Sequence, residues 1–300
     1  MIEAVNISKD FYDIKAVDQV SLTIQEGNVF GLVGTNGAGK STFLRMLSGI
    51  IKPDKGVIKI DGMDIYENVK AKERFFYISD DQFYFNNATP IDMKNFYQVI
   101  YEGFDGERFD TLMEQFELTP NRKINTYSKG MKKQLSVICG ICSNTKYIFC
   151  DETFDGLDPV MRQAVKSIIA KEIADRNITT IIASHNLREL EDICDHIGLL
   201  HRGGILFSKD LYDMKLNIHK IQCVFHNEED AKAMFDNLDI LKREQRGSLY
   251  TITARGNREE ITNYFDKVKP VFFEILPLTL EEIFISETEV VGYDIKKLIS

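Results

Sequence analysis

The chain lacks a long apolar run. None of its 300 residues falls in a stretch of the ~18 apolar residues that a membrane-spanning helix needs. The start, Met1-Ile2-Glu3-Ala4-Val5, has no basic segment followed by an apolar block, so no signal peptide is expected. Cations are outnumbered as well. With 37 Lys and Arg against 46 Asp and Glu, the net charge is -9. Nucleic-acid surfaces and anchors on anionic lipid need the opposite balance, so neither partner is expected. Cysteine is sparse and odd in number: Cys139, Cys142, Cys150, Cys194 and Cys223. A scattered odd set in a chain expected in the cytoplasm argues against a disulfide framework. Cys139 and Cys142 form a C-x-x-C, but inside an apolar helical stretch with no second Cys/His pair nearby. Buried small residues are therefore a better reading than zinc or redox chemistry. Internal repeats and low-complexity tracts are absent too.

What is present starts with Gly34-Thr35-Asn36-Gly37-Ala38-Gly39-Lys40-Ser41-Thr42. The apolar run Val29-Phe30-Gly31-Leu32-Val33 precedes it and Phe43-Leu44-Arg45-Met46-Leu47 follows. That is a strand, a glycine-rich loop and a helix start, with the spacing G-x-x-x-x-G-K-S. The glycines free successive backbone N–H groups to point at one phosphate, and the helix N-terminus adds its positive end. Lys40 is placed to reach the β- and γ-phosphates and Ser41 to bind Mg²⁺. A nucleoside triphosphate is the implied ligand.

Tyr147-Ile148-Phe149-Cys150-Asp151-Glu152 is an apolar strand ending in two carboxylates. Strand ends are where open α/β sheets bind ligands. Asp151 is placed to hold Mg²⁺ through water opposite Ser41, and Glu152 to polarise the attacking water.

The run Thr180-Ile181-Ile182-Ala183 is also continuous and apolar, as suits a parallel strand covered on both faces. The region 1–211 therefore reads as an α/β domain with a helical subdomain over about 88–143. Phe96, Tyr97 and Tyr101 in that subdomain read as packing residues. From 212 to 300 the order β-α-β-β-α-β predicts a small ferredoxin-like domain.

Between the phosphate loop and the Asp-Glu strand lies Tyr127-Ser128-Lys129-Gly130-Met131-Lys132-Lys133-Gln134, by itself a serine-capped helix start. In this position it resembles the L-S-G-G-Q signature of ABC-transporter ATPases. The phosphate loop, the signature, Asp151-Glu152, Gly156-Leu157-Asp158-Pro159 and Ser184-His185 follow in that family's order, over about two-thirds of the chain.

The resemblance implies a P-loop ATPase that uses ATP and Mg²⁺ and pairs head to tail with a second copy. Ser128, Lys129, Gly130 and Met131 would then face ATP held by the partner. His185 would contact the γ-phosphate, and Asp158 would couple the two sites. Phe11, or its neighbour Tyr12, would stack on adenine.

Three departures stand out. Lys129 and Met131 replace the usual glycine and glutamine of the signature. Thr153-Phe154 replaces the usual Pro-Thr. In Phe76-Tyr77-Ile78-Ser79-Asp80-Asp81-Gln82, Asp80 stands where the family places a metal-contacting glutamine, and Gln82 lies two residues on. Asp80 is preferred for that role as a hard oxygen ligand.

The ending Leu280-Glu281-Glu282-Ile283-Phe284 resembles that of ATPase subunits in type-2 exporters for bacitracin, lantibiotics, drugs and sodium. Such a subunit works on the inner face of the cell membrane by docking on a separate integral membrane permease. A soluble, non-transport ABC ATPase is the alternative, disfavoured by the absence of a long heptad run or a second motif set. An importer ATPase is disfavoured by Asp80 and by this ending. Nothing in the chain names a cargo.

Overall fold

The computed structural model describes residues 1–290, so the last ten residues of the expected 212–300 domain lie outside the described residues. The chain divides into two compact units between Ser208 and Lys209.

In the first unit, β1 (Ile2–Phe11) and β2 (Ile14–Ile24) form a hairpin, and β3 (Val29–Val33) runs through the glycine-rich loop into α1 (Lys40–Leu47). Then come β4 (Lys55–Ile60), the two-residue β5 (Met63–Asp64), the one-turn α2 (Val69–Lys72) and β6 (Phe75–Ile78). Three helices follow: α3 (Pro90–Ile100), α4 (Gly106–Gln115) and α5 (Lys129–Cys142). Next come β7 (Tyr147–Asp151), α6 (Pro159–Arg176), β8 (Thr179–Ser184), α7 (Leu187–Glu191), β9 (His196–His201) and β10 (Gly204–Asp210), within which the first unit ends.

The strands make two sheets. One has the order β2-β1-β4-β5, with antiparallel pairs. The other has the order β10-β9-β3-β8-β7-β6. Its β9–β3, β3–β8, β8–β7 and β7–β6 pairs are parallel. Every residue of β3, β7 and β8 is buried, as a parallel sheet covered on both faces requires. A single core joins the two sheets through α1, with Phe43, Leu44 and Leu47 packed among Ile2, Ile60, Phe149 and Ile181. This packing fixes the phosphate loop and the carboxyl end of β7 side by side.

The helical stretch after residue 88 breaks between α3 and α4, where Asp105 caps α4 by accepting from the Arg108 N–H at 2.9 Å, and again between α4 and α5. Tyr97 packs edge-on against Phe76 with ring centroids 5.2 Å apart, and Tyr101 lies 5.7 Å from the same ring. Both are packing residues. The five cysteines are buried and free, and burial pushes the Cys150 thiol up to about 12.

The second unit contains α8 (Leu211–Asn217), β11 (Ile218–Val224), α9 (Glu228–Phe235), β12 (Asp239–Arg246), β13 (Leu249–Arg255), α10 (Arg258–Val268), β14 (Phe272–Leu276) and α11 (Leu280–Val290). Its sheet order is β12-β13-β11-β14, antiparallel throughout. This is the β-α-β-β-α-β arrangement of ferredoxin-like units. Ile221, Ile252, Ile261 and Phe265 share its core. Thr279 and Glu282 form a reciprocal cap on α11. The Glu282 N–H donates to Thr279 Oγ1 at 3.2 Å, and the Thr279 N–H donates to Glu282 Oε2 at 3.1 Å.

Candidate active site

The phosphate loop departs from ordinary helix starts. Gly39, the residue before α1, has φ +105 and offers no side-chain cap to the helix. A Cβ there would stand 2.1 Å from the Ala16 carbonyl oxygen, so only glycine fits. Gly37 is also left-handed, at φ +81. The first-turn N–H groups of α1 are thereby left facing the loop, the arrangement that binds an anion.

Lys40 is buried, and its ammonium donates to the Gly34 and Thr35 carbonyls at 2.7 and 3.3 Å. It also pairs with Glu152 Oε1 at 3.2 Å. Ser41 Oγ donates to Asp151 Oδ1 at 2.9 Å, joining the start of α1 to the end of β7.

Asp151 is fully buried. Burial holds its carboxyl above the usual range, although the Ser41 and Tyr77 hydroxyls both donate to it. The Tyr77 bond is 3.0 Å long, and burial together with the Asp151 charge pushes the phenol up to about 12. Glu152 Oε2 lies 3.0 Å from His185 Nδ1. The carboxylate is thus held between a lysine of the phosphate loop and a histidine from the end of β8.

Of these groups, Lys40, Ser41, Glu152 and His185 border a cavity of about 410 Å³ whose lining also includes Asn36 and Asp80. Asp80 belongs to it and Gln82 does not. The Gln82 amide donates to the Ser79 and Asp80 carbonyls at 2.9 Å each, which ties it back onto its own loop. Asp80 is itself engaged, 3.1 Å from the Lys133 ammonium.

Several expected residues are not gathered here. Phe11 sits 40% exposed at the end of β1 and does not line the cavity, and Tyr12 is fully exposed. The lining on that side comes from Ile14, the hairpin partner of Phe11, and Ala16. Sequence reasoning passed over both for want of an aromatic ring. It also passed over Asp155, whose carboxylate lies within 4.8 Å of the ligating atoms of Glu152 and His185.

Ser128, Lys129, Gly130 and Met131 lie at the start of α5 and are absent from the cavity lining. Ser128 caps the helix by accepting from the Met131 N–H at 3.2 Å. Asp158 caps α6, accepting from the Val160 and Met161 N–H groups at 3.0 Å each.

Residues 17–155, the span from β2 to the site carboxylates, match the ABC transporter family. An ABC transporter ATP-binding protein of Bacillus subtilis, YtrB, is 33% identical over 96% of this chain and 98% of its own length. The chain belongs to the ABC transporter family. It is an ATPase of that family's ATP-binding subunit type. The bacitracin transport ATP-binding protein BcrA of Bacillus licheniformis is 31% identical over 69% of this ABC ATPase and 68% of itself. A dimeric bacterial ABC transporter cassette of known structure shares the fold at TM-score 0.63 and 20% identity, covering 70% of this chain and 99% of that one. Among the described residues, no helix is long and apolar enough to cross a membrane.

Proposed function

We propose that this ABC ATPase powers an exporter by closing on ATP as a head-to-tail homodimer against a separate membrane permease. The observation that carries the proposal is the division of the motifs. Lys40, Ser41, Glu152 and His185 meet at one cavity, while Ser128 and Gly130 stand apart at an exposed helix start. A serine hydroxyl, a small residue and a helix N-terminus can form an anion site, and Ser128 and Gly130 do not line the cavity of their own chain. A second copy would present them to the first copy's nucleotide.

The donors fit magnesium. A hydroxyl and a buried carboxylate 2.9 Å apart are hard oxygen ligands, and the raised Asp151 carboxyl marks a negative charge that a cation would relieve. Ser41 and Asp151 would hold the ion, which when bound supplies charge neutralisation on the phosphates. Lys40 would leave Glu152 for the phosphates, freeing the carboxylate to orient water and accept its proton. His185 would hold the far side of that carboxylate and contact the terminal phosphate. Phe11 or Ile14 would cover the adenine.

Export direction draws support from the bacitracin transport relative and from the Leu280–Phe284 ending. The work would be done on the inner face of the membrane through the permease, whose identity and cargo lie outside this chain.

Glu152→Gln is the decisive variant. It is expected to keep ATP binding and lower turnover by about two orders of magnitude or more, as loss of a general base does. Wild-type turnover in Glu152→Gln, measured as phosphate release, would remove Glu152 from the base role.

A further inference from the structure

Lys133 is completely buried in α5. Burying an ammonium costs several kcal/mol unless it is paired and hydrogen-bonded, so its partners indicate its use. Its Nζ lies 3.1 Å from Asp80 Oδ1 and also donates to the main-chain carbonyl of Glu152. Asp80 stands on the loop after β6, Glu152 follows β7, and Lys133 sits about one turn inside the helix that Ser128 caps. One ammonium therefore joins three segments, each of which contributes to the proposed ATP site. Lys129, one turn earlier on the same helix face, approaches the same Asp80 oxygen at 3.9 Å.

The Glu152 backbone needs this support. Its φ is +46, in the left-handed region that costs a non-glycine residue of order 1–3 kcal/mol. Its N–H donates to the Ala183 carbonyl of β8 at 3.0 Å, and its own carbonyl accepts from Lys133. With the residue held from both sides, the carboxylate is aimed between Lys40 and His185.

We infer that Lys133 is a positioning residue for hydrolysis. It fixes the main chain of Glu152 and, through Asp80, ties the carboxylate to the cavity-lining loop and to the helix that carries the signature. The inference rests on Glu152 being the base. It also gives Asp80 a reason to be acidic: a glutamine there would offer the buried ammonium a neutral oxygen in place of a charge. A shift of α5 or of the 79–82 loop would then be felt at Glu152, and a displacement of about 1 Å at a reacting group costs about a hundredfold in rate.

The test uses the full chain, with steady-state ATP hydrolysis, ATP affinity by calorimetry and thermal melting read together. Lys133→Met is expected to lower kcat by roughly tenfold to a hundredfold with KM for ATP little changed, and Lys133→Arg to restore much of the loss. Asp80→Asn, at a half-exposed side chain with little risk to folding, is expected to lower kcat in the same direction. The double variant Asp80→Asn, Lys133→Met should be no slower than Lys133→Met alone, because the two act as one link. If Lys133→Met does not fold, Lys133→Arg and Asp80→Asn carry the test. Wild-type kcat in folded Lys133→Met or in Asp80→Asn, a loss confined to KM, or multiplying losses in the double variant would overturn the inference. Failure of the base assignment reads differently: Glu152→Gln would then turn over normally whatever the Lys133 variants do.

Discussion

Asp151 shows how a single residue can trade stability for ligand binding. Its carboxyl titrates above the ordinary value because it is buried, so the folded chain binds that proton more tightly than the unfolded chain. The stabilising contribution is therefore complete below the unfolded value and is lost as pH rises through the folded one. At neutral pH the buried charge is a net cost in the metal-free protein. Asp151→Asn is expected to melt at a higher temperature than wild type at pH 7 without metal, and to lose the stabilisation that Mg²⁺ with ATP gives wild type. Scanning calorimetry with and without Mg²⁺ reads both effects. Lys40→Ala removes charge-assisted hydrogen bonds worth about 1.5–3 kcal/mol, so ATP affinity should fall roughly tenfold to a hundredfold. Unchanged affinity by calorimetry would contradict the phosphate-loop assignment.

Among elements, those with strong local signals were legible in the sequence. The strand–loop–helix around Gly34–Thr42 and the apolar strand ending in Asp151-Glu152 declare themselves by spacing, and each lies where the pattern placed it. Thr279 with Glu282 three residues later is the spacing of a capping box. Thr279→Ala should destabilise the second unit by about 1 kcal/mol, as loss of an N-cap does, read as a lowered midpoint in urea. What stayed hidden depends on tertiary neighbours. Tyr77 lies in the apolar strand Phe75–Ile78, and only the pairing of β6 with β7 brings its hydroxyl to Asp151. Lys133 follows Lys129 and Lys132 in the sequence, and no local pattern marks it as buried. Its four-residue spacing from Lys129 was the available hint, but only the fold shows Asp80 opposite both. Ile14 and Ala16 reach the cavity because β2 returns beside β1, which an aromatic search could not detect.

At the scale of the whole molecule, Lys40, Ser41, Glu152 and His185 line one cavity, and Ser128 and Gly130 at the start of α5 are not part of that lining. In the proposed closed state two copies complete each other around ATP, each chain contributing 34.5 kDa. The most direct measurement is the solution mass of Glu152→Gln by light scattering, with and without ATP. A mass that doubles on adding ATP, and does not double when Ser128→Arg is introduced into the same chain, is the predicted result. A mass that stays at one chain while calorimetry shows ATP bound would contradict it.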